Sequence, residues 1–424
     1  MAAWAGLRLN LVGDILARLP CRAHRAAFGA VCANWRRVAT QRPPPPQLPW
    51  LLFPSAAAEA PVFICLLCRT THRAVLPDYV RAARCCGSHP GGWLLLRFQQ
   101  QQGGGFELHN IQPQGGGLAL YNLRTGVRLD VPDDLRTGVR LDVPDDLRTV
   151  FNFSNTGIVL GAALSAAPTM PGCCLAVVQA FSASQIAFWF PEIGMPYQYQ
   201  PMAPEPHERG RRVMLPDAWI DDVIYFAGYG LGGFHVLTNA EEVLVYMPGF
   251  GPDGAFTTYL VTYRFPEHQV STEPGCTASR YLVDYFGRLV MVVRFVSTED
   301  QRTRRIRSYV LRMAAGQAGH HGDRQAYWVE CWFLGDNRVV MLGRCSSMAF
   351  DSPAVGLNGL YFLDDARSFD DVIAALRFGP LYPCRDMGRC TVHHQPHQFV
   401  LEHLGLILPM RPPSVFSPPV WFFH

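Results

Sequence analysis

The sequence contains no lysine: all 37 of its basic residues are arginine. The chain therefore has no side-chain amine nucleophile, because a guanidinium group stays protonated and cannot stand in for one. Charge of either sign is scarce, at 17% of residues, and the net charge is only +3 over 424 residues. Nothing in that balance calls for nucleic acid or an anionic membrane as a partner. The 13 cysteines are odd in number and follow no framework spacing, which suits reduced thiols in the cytosol or nucleus. Residues Met1–Leu19 lack the uninterrupted apolar core of a signal peptide, since Arg8, Asp14 and Arg18 fall inside them. Without secretion, the glycosylation pattern Asn152-Phe153-Ser154 carries no weight. The stretch Thr149–Pro191 has no charge, but Pro168 and Pro171 break it. It reads as two buried strands around a turn at Thr169–Gly172 rather than a membrane helix. Gly-x-Ser-x-Gly, His-Glu-x-x-His and Walker motifs are all missing, so no enzyme class finds support.

Hydrophobic residues make up 49% of the chain, enough for a sizeable core. Up to residue 40 their spacing is helical. Val12, Ile15, Leu16 and Leu19 share one helix face, Pro20 ends that helix, and Phe28, Val31, Cys32 and Trp35 form a second stripe. Residues 42–49 (RPPPPQLP) predict an extended spacer. The chain thus divides into a helical unit over 1–42, a linker over 43–49 and a β domain over 50–424. In the β domain the period is two. Tyr281–Tyr285 and Arg288–Val293 flank a Phe286-Gly287 turn, and Trp332–Leu334 and Arg338–Leu342 read as a further hairpin. Val223–Ala227, Phe234–Leu237 and Val243–Tyr246 read as three more short strands. At ~40–50 residues per blade, that length suits a propeller of roughly seven or eight blades. Low-complexity segments around residues 99–117 interrupt the pattern, and Arg124–Leu135 (RTGVRLDVPDDL) recurs letter for letter at Arg136–Leu147. Only one copy of that duplication is expected to occupy a blade.

Three local patterns suggest chemistry and then lose it. Gly228–Gly233 fits G-x-G-x-x-G after a strand, but Phe234–Leu237 continues as another strand instead of the helix a pyrophosphate needs. Cys65-x-x-Cys68 has the spacing of half a zinc site. The next pair, Cys85-Cys86, is adjacent rather than spaced, and residues three apart on a strand point to opposite faces. Buried thiols are the expected reading, with no metal or other cofactor. His393, His394 and His397, with Glu402 and His403 nearby, fall in a proline-containing loop and read as solvated. Arg302, Arg304, Arg305 and Arg307 form the densest basic run, read as a solvated strand edge, with an acidic or phosphorylated partner as the sharper alternative.

Two resemblances organise these observations. Residues 4–20 (WAGLRLNLVGDILARLP) followed by Ala30–Arg36 (AVCANWR) resemble an F-box, carried above all by Val31-Cys32-x-x-Trp35-Arg36. Arg8 stands where that family usually has proline, Asn10 where it has an acid, and His24 where aspartate starts the second helix. The remainder resembles the KIB-type β-propeller often found behind F-boxes in plants. Its landmarks here are Leu48–Pro54, Gly92–Leu96, Tyr121–Gly126, Asn358–Asp365 and Ser417–Trp421. The resemblance implies a mainly β chain, a multi-bladed propeller behind a small all-α F-box. It further implies a non-catalytic substrate receptor of a cullin-based ubiquitin ligase, with a Skp-type adaptor as partner and an unidentified protein as substrate. A propeller scaffold whose F-box recruits no ligase is the alternative. Forty residues cannot bury two apolar stripes in their own core, so Leu7, Leu11, Ile15, Leu16, Leu19, Val31, Cys32 and Trp35 are the expected adaptor contacts. In such a receptor the missing lysines would leave ubiquitin only the α-amino group or weaker oxygen and sulfur nucleophiles.

Overall fold

In the computed structural model the described residues are 4, 6–42, 47–53, 62–73, 76–81, 83–98, 117–131, 158–180, 184–191, 212–214, 220–228, 232–252, 256–264, 273–313, 324–331, 338–351, 358–365, 382–384, 386–392, 399–403, 411–414 and 418–423. Among the described residues three helices, α1 (Leu9–Ala17), α2 (Arg22–Gly29) and α3 (Ala33–Gln41), precede a ring of six β blades, with one further short helix, α4 (Asp78–Arg81), between blades 1 and 2. Among the described residues no helix is long and apolar enough to cross a membrane.

Blade 1 holds β1 (Trp50–Phe53), β2 (Val62–Cys65) and β3 (Thr70–Arg73). Blade 2 follows with β4 (Arg84–His89), β5 (Trp93–Arg97), β6 (Leu118–Asn122) and β7 (Arg128–Asp130), and blade 3 with β8 (Ile158–Leu164), β9 (Leu175–Ala180), β10 (Ser184–Trp189) and β11 (Arg212–Met214). Blade 4 is β12 (Ile220–Phe226), β13 (Gly233–Thr238), β14 (Val243–Phe250) and β15 (Phe256–Arg264). Blade 5 is β16 (Cys276–Asp284), β17 (Leu289–Ser297), β18 (Thr303–Met313) and β19 (Arg324–Glu330). Blade 6 is built from β20 (Arg338–Leu342), β21 (Met348–Asp351), β22 (Gly359–Phe362), β24 (Gly388–Val392) and β25 (Phe399–His403), beside a separate pair, β23 (Tyr382–Cys384) with β26 (Arg411–Ser414). The last strand, β27 (Val420–Phe422), returns to blade 1 and pairs antiparallel with β1, Leu51 opposite Trp421.

Strand alternation explains both the ring and its apolar runs. Successive side chains leave a strand on opposite faces, and each blade face meets a neighbouring blade, so both faces must be apolar. In β5, Leu94 and Leu96 enter the core between blades 1 and 2, while Trp93 and Leu95 enter the one between blades 2 and 3. The closing strand does the same: Trp421 packs between blades 6 and 1, and Val420 and Phe422 between blades 1 and 2.

Six blades are fewer than the chain length suggests. Spread over residues 50–423, the six blades seen among the described residues correspond to about 60 residues each. The hairpin at Phe286-Gly287 forms as expected, a two-residue turn with both φ angles positive (51° and 79°). Residues 165–174 form the expected turn between β8 and β9. The first arm and turn of the hairpin expected over residues 332–342 lie outside the described residues; its second arm, β20, pairs with β21 and β22. Nor is β18 an edge strand, since it lies between β17 and β19. Three of its arginines face acids instead, Arg304 with Asp300 and both Arg305 and Arg307 with Glu273. The first copy of the duplication supplies β7 and its buried neighbour Val131. The second copy and the His393–His397 cluster lie outside the described residues.

Candidate functional site

The helical unit has its own core, with Val12, Leu16, Phe28, Trp35 and Val38 packed together and the Phe28 and Trp35 rings 4.4 Å apart. Residues Leu16 and Trp35, expected as adaptor contacts, therefore hold the unit together from inside. Leu7, Ile15, Leu19 and Cys32 pack against that core and remain half-buried. Leu11 (47% exposed) and Val31 (52%) face outward, as does Leu9, which the sequence pattern did not single out. The second stripe is not one helix face: α2 ends at Gly29 and α3 starts at Ala33 from an extended Cys32, so Val31 falls in the turn between them. The cap of α2 is Cys21, not His24. A groove of about 400 Å³ between α2 and α3 is floored by Ala26, Gly29 and Ala39 and edged by Arg22, Arg25 and Arg36.

The helices are not held away from the propeller. The Gln47 side chain accepts the Arg22 N–H (2.9 Å) and donates to the Pro20 carbonyl (3.0 Å), and Leu48 is buried in the core between blades 6 and 1. At the start of α2, Cys21 Sγ lies 3.3 Å from His72 Nε2 on β3, and Cys68 Sγ lies 3.3 Å from the same nitrogen. Cys65 joins them, so the four ligand atoms all lie within 4.8 Å of one another. Cys65 is thus a buried thiol, as expected, and Cys68 a half-buried one, but the spacing of the two did not reveal Cys21 and His72 beside them. Cys65 is the last residue of β2 and residues 66–69 are turn, so the opposite-face rule for strands does not apply between the two. Cys85 and Cys86 belong to other cores, on opposite faces of β4. Burial pushes the Cys65 thiol up to about 12. Burial also works to raise Cys68, but the Thr70 hydroxyl and N–H, with the neighbouring thiols, bring it below its ordinary value.

One turn of blade 6 contacts blades on the far side of the ring. The Gly343–Ser347 turn of blade 6 reaches across the ring: the Cys345 N–H donates to Asp222 on β12 (2.7 Å), and Cys345 Sγ abuts Gly161 on β8 so closely that a Cβ there would overlap it. Asp222 also accepts the N–H groups of Val223 (3.0 Å) and of Leu282 in blade 5 (2.7 Å). One carboxylate thus joins three blades. Beside it Arg294, fully buried on β17, faces Asp365 (3.5 Å) and Asp386 (3.4 Å) of blade 6, and the Tyr281 hydroxyl donates to Asp365 (2.7 Å).

Burial pushes the Asp222 carboxyl from 3.8 up to about 7, against the pull of its three N–H donors and Arg344. An acid whose pKa is raised by folding binds its proton more tightly in the folded chain. Its contribution to stability is complete below its ordinary value and is lost as pH rises through about 7. Thermal melts across this range should therefore show stability falling by a few kcal/mol at most, and Asp222→Asn should remove that component of the slope. An unchanged slope in the variant would assign the pH dependence to other groups.

Among the described residues the chain forms a ring of six blades, closed by β27, crossed by one turn of blade 6 and preceded by a helical unit. That is the architecture of a protein-interaction propeller. The chain belongs to the KIB1-4 beta-propeller family, which it matches over residues 63–389. A comparison with curated proteins finds none that matches. Among solved structures, a protein from Lactobacillus plantarum is 9% identical over 69% of this chain and 83% of its own, with a TM-score of 0.27. AofleA from Arthrobotrys oligospora is 8% identical over 76% of this chain and 85% of its own, with a TM-score of 0.25.

Proposed function

We propose that this chain is a non-catalytic substrate receptor of a cullin–RING ubiquitin ligase. Its helical unit docks a Skp-type adaptor and its propeller holds a protein substrate. The observation that carries this reading is the exposure of Leu9, Leu11 and Val31 on a unit that already has a closed core of its own. Large apolar side chains left outside a finished core mark a surface that a partner covers. The groove between α2 and α3, small residues below and arginines at the rim, suits an acidic partner. The F-box-like sequence over the same residues supports an adaptor as that partner, and membership of the propeller family supports a protein-interaction role for the rest of the chain.

The core positions cannot test this, because Leu16→Asp buries a carboxylate and unfolds the helices. The exposed pair can. Leu11→Asp with Val31→Asp should lower affinity for a purified Skp-type adaptor at least tenfold, about 1.4 kcal/mol or more, with helicity and melting unchanged. Titration calorimetry with circular dichroism reads both. Full-strength binding by a folded double variant would overturn the assignment of the contact to Leu11 and Val31, whereas no binding by the parent chain would leave the propeller as a scaffold without a ligase.

A further inference from the structure

We infer that Cys21, Cys65, Cys68 and His72 bind a structural zinc ion that clamps the helical unit to blade 1 of the propeller. The site stands whether or not the helices dock an adaptor.

Zinc in a closed structural site takes four ligands in a tetrahedron, and three thiolates with one imidazole is a common set. With Zn–S near 2.3 Å and Zn–N near 2.0–2.1 Å, that tetrahedron sets S···N contacts at about 3.6 Å and S···S contacts at about 3.8 Å. The two S···Nε2 contacts here are 3.3 Å, and all four donors lie within 4.8 Å of one another. Seating the ion would open the S···Nε2 contacts by a few tenths of an ångström and close the widest separation by about 1 Å at most. A disulfide would use only two of the three thiols and leave the third, with the imidazole, packed against it for no purpose.

The local backbone is shaped for thiolates. Cys65-Leu66-Leu67-Cys68 turns back on itself through the Arg69 N–H bond to the Cys65 carbonyl (2.8 Å), and Arg69 takes a positive φ of 55°. That conformation is costly for a residue with a side chain, and strain of this kind gathers where a ligand is held. The backbone N–H groups of Cys68, of Thr70, and of Ala23 and His24 favour the charged form of the thiols of Cys65, Cys68 and Cys21 respectively. Such donors stabilise the charge of a metal-bound thiolate, and those at Cys21 sit at the positive end of α2. His72 is aimed by packing, its ring stacked on Trp50 at 4.7 Å and met edge-on by His24 at 5.5 Å. Cys21 and Cys65 are fully buried and Cys68 and His72 half-buried, and four protein ligands would leave no position for a reacting water. Binding releases three thiol protons to solvent and leaves the four-coordinate site with one net negative charge.

The test uses the full chain, purified without chelator. Elemental analysis should find one zinc per chain. Cobalt(II) in its place should give the thiolate charge-transfer and ligand-field absorption of a tetrahedral site. Cys68→Ser and His72→Ala should each lower the zinc content at least tenfold. His72→Cys should keep the metal and shift the cobalt spectrum, and Cys331→Ser in blade 5 should change nothing. The inference is overturned if the folded parent chain takes up neither metal, if the first two variants hold as much zinc as the parent, or if peptide mapping of anaerobically prepared protein finds these cysteines joined as a disulfide. Adaptor binding is read separately with the exposed-pair variant, so failure of one reading leaves the other standing.

Discussion

Removal of residues 418–424 is expected to abolish cooperative folding of the propeller. The segment carries β27, whose Val420, Trp421, Phe422 and Phe423 are between 0% and 7% exposed. They feed the two cores that flank blade 1, and the Trp421 Nε1–H donates to the Leu342 carbonyl in blade 6 (2.7 Å). Truncating one buried Trp or Phe costs about 3–5 kcal/mol. Losing this set together, with the ladder to β1, removes on the order of 10 kcal/mol, as much as the whole net stability of a typical domain. The truncated chain should show no cooperative melt and should aggregate, whereas Trp421→Ala should melt cooperatively at lower temperature. A truncation that melts like the full chain would mean that β1 is held in blade 1 without its partner.

Arg294→Met is expected to cost about 3–5 kcal/mol, the usual consequence of taking one partner from a buried ion group. Arg294 is fully buried, stacks over the Phe362 ring at 4.9 Å, donates to the Leu363 carbonyl, and faces Asp365 and Asp386. Burial works to lower its pKa, but Tyr281 and the three nearby aspartates raise it overall, so it stays cationic. Without it those carboxylates lie buried and uncompensated. Denaturant melts of the parent and variant measure the loss directly. A loss below 1 kcal/mol would show that the aspartates are satisfied by their other donors, such as the Thr303 N–H and hydroxyl at Asp386.

Much of the ring was legible in the sequence, because its strands are local and its turns are marked. The Phe286-Gly287 hairpin and the meander from Ile220 to Phe250 follow from alternation and turn residues alone. Blade 6 was not legible: β20 pairs in parallel with β22, a partner that no adjacent turn announces. At the helices, periodicity found Val12, Leu16, Phe28 and Trp35 but could not tell inside from outside, since a small unit that closes on itself and one that offers the same stripe to a partner look alike in sequence. The four-ligand cluster escaped for a different reason. Cys65 and Cys68 carry the spacing signal, but Cys21 comes from another structural unit and His72 from the next strand, so the set exists only after folding. Arg294 did leave a trace, a lone charge in the run Leu289–Val296, yet only the seam between blades 5 and 6 explains what it is for.

Blades 4 and 5 are joined differently from the rest. Their outer strands, β15 and β19, pair in parallel through Tyr263 with Arg324 and Arg264 with Gln325, so one sheet of eight strands runs outward through blade 4 and back inward through blade 5. Among the described residues, the other junctions between neighbouring blades are made by side chains. When such a ring breathes, it opens where the fewest bonds must break, in contiguous cooperative units. These two blades therefore form one such unit, and local opening belongs to the remaining seams. The same pairing caps part of two edges that would otherwise offer free backbone donors and acceptors to another chain.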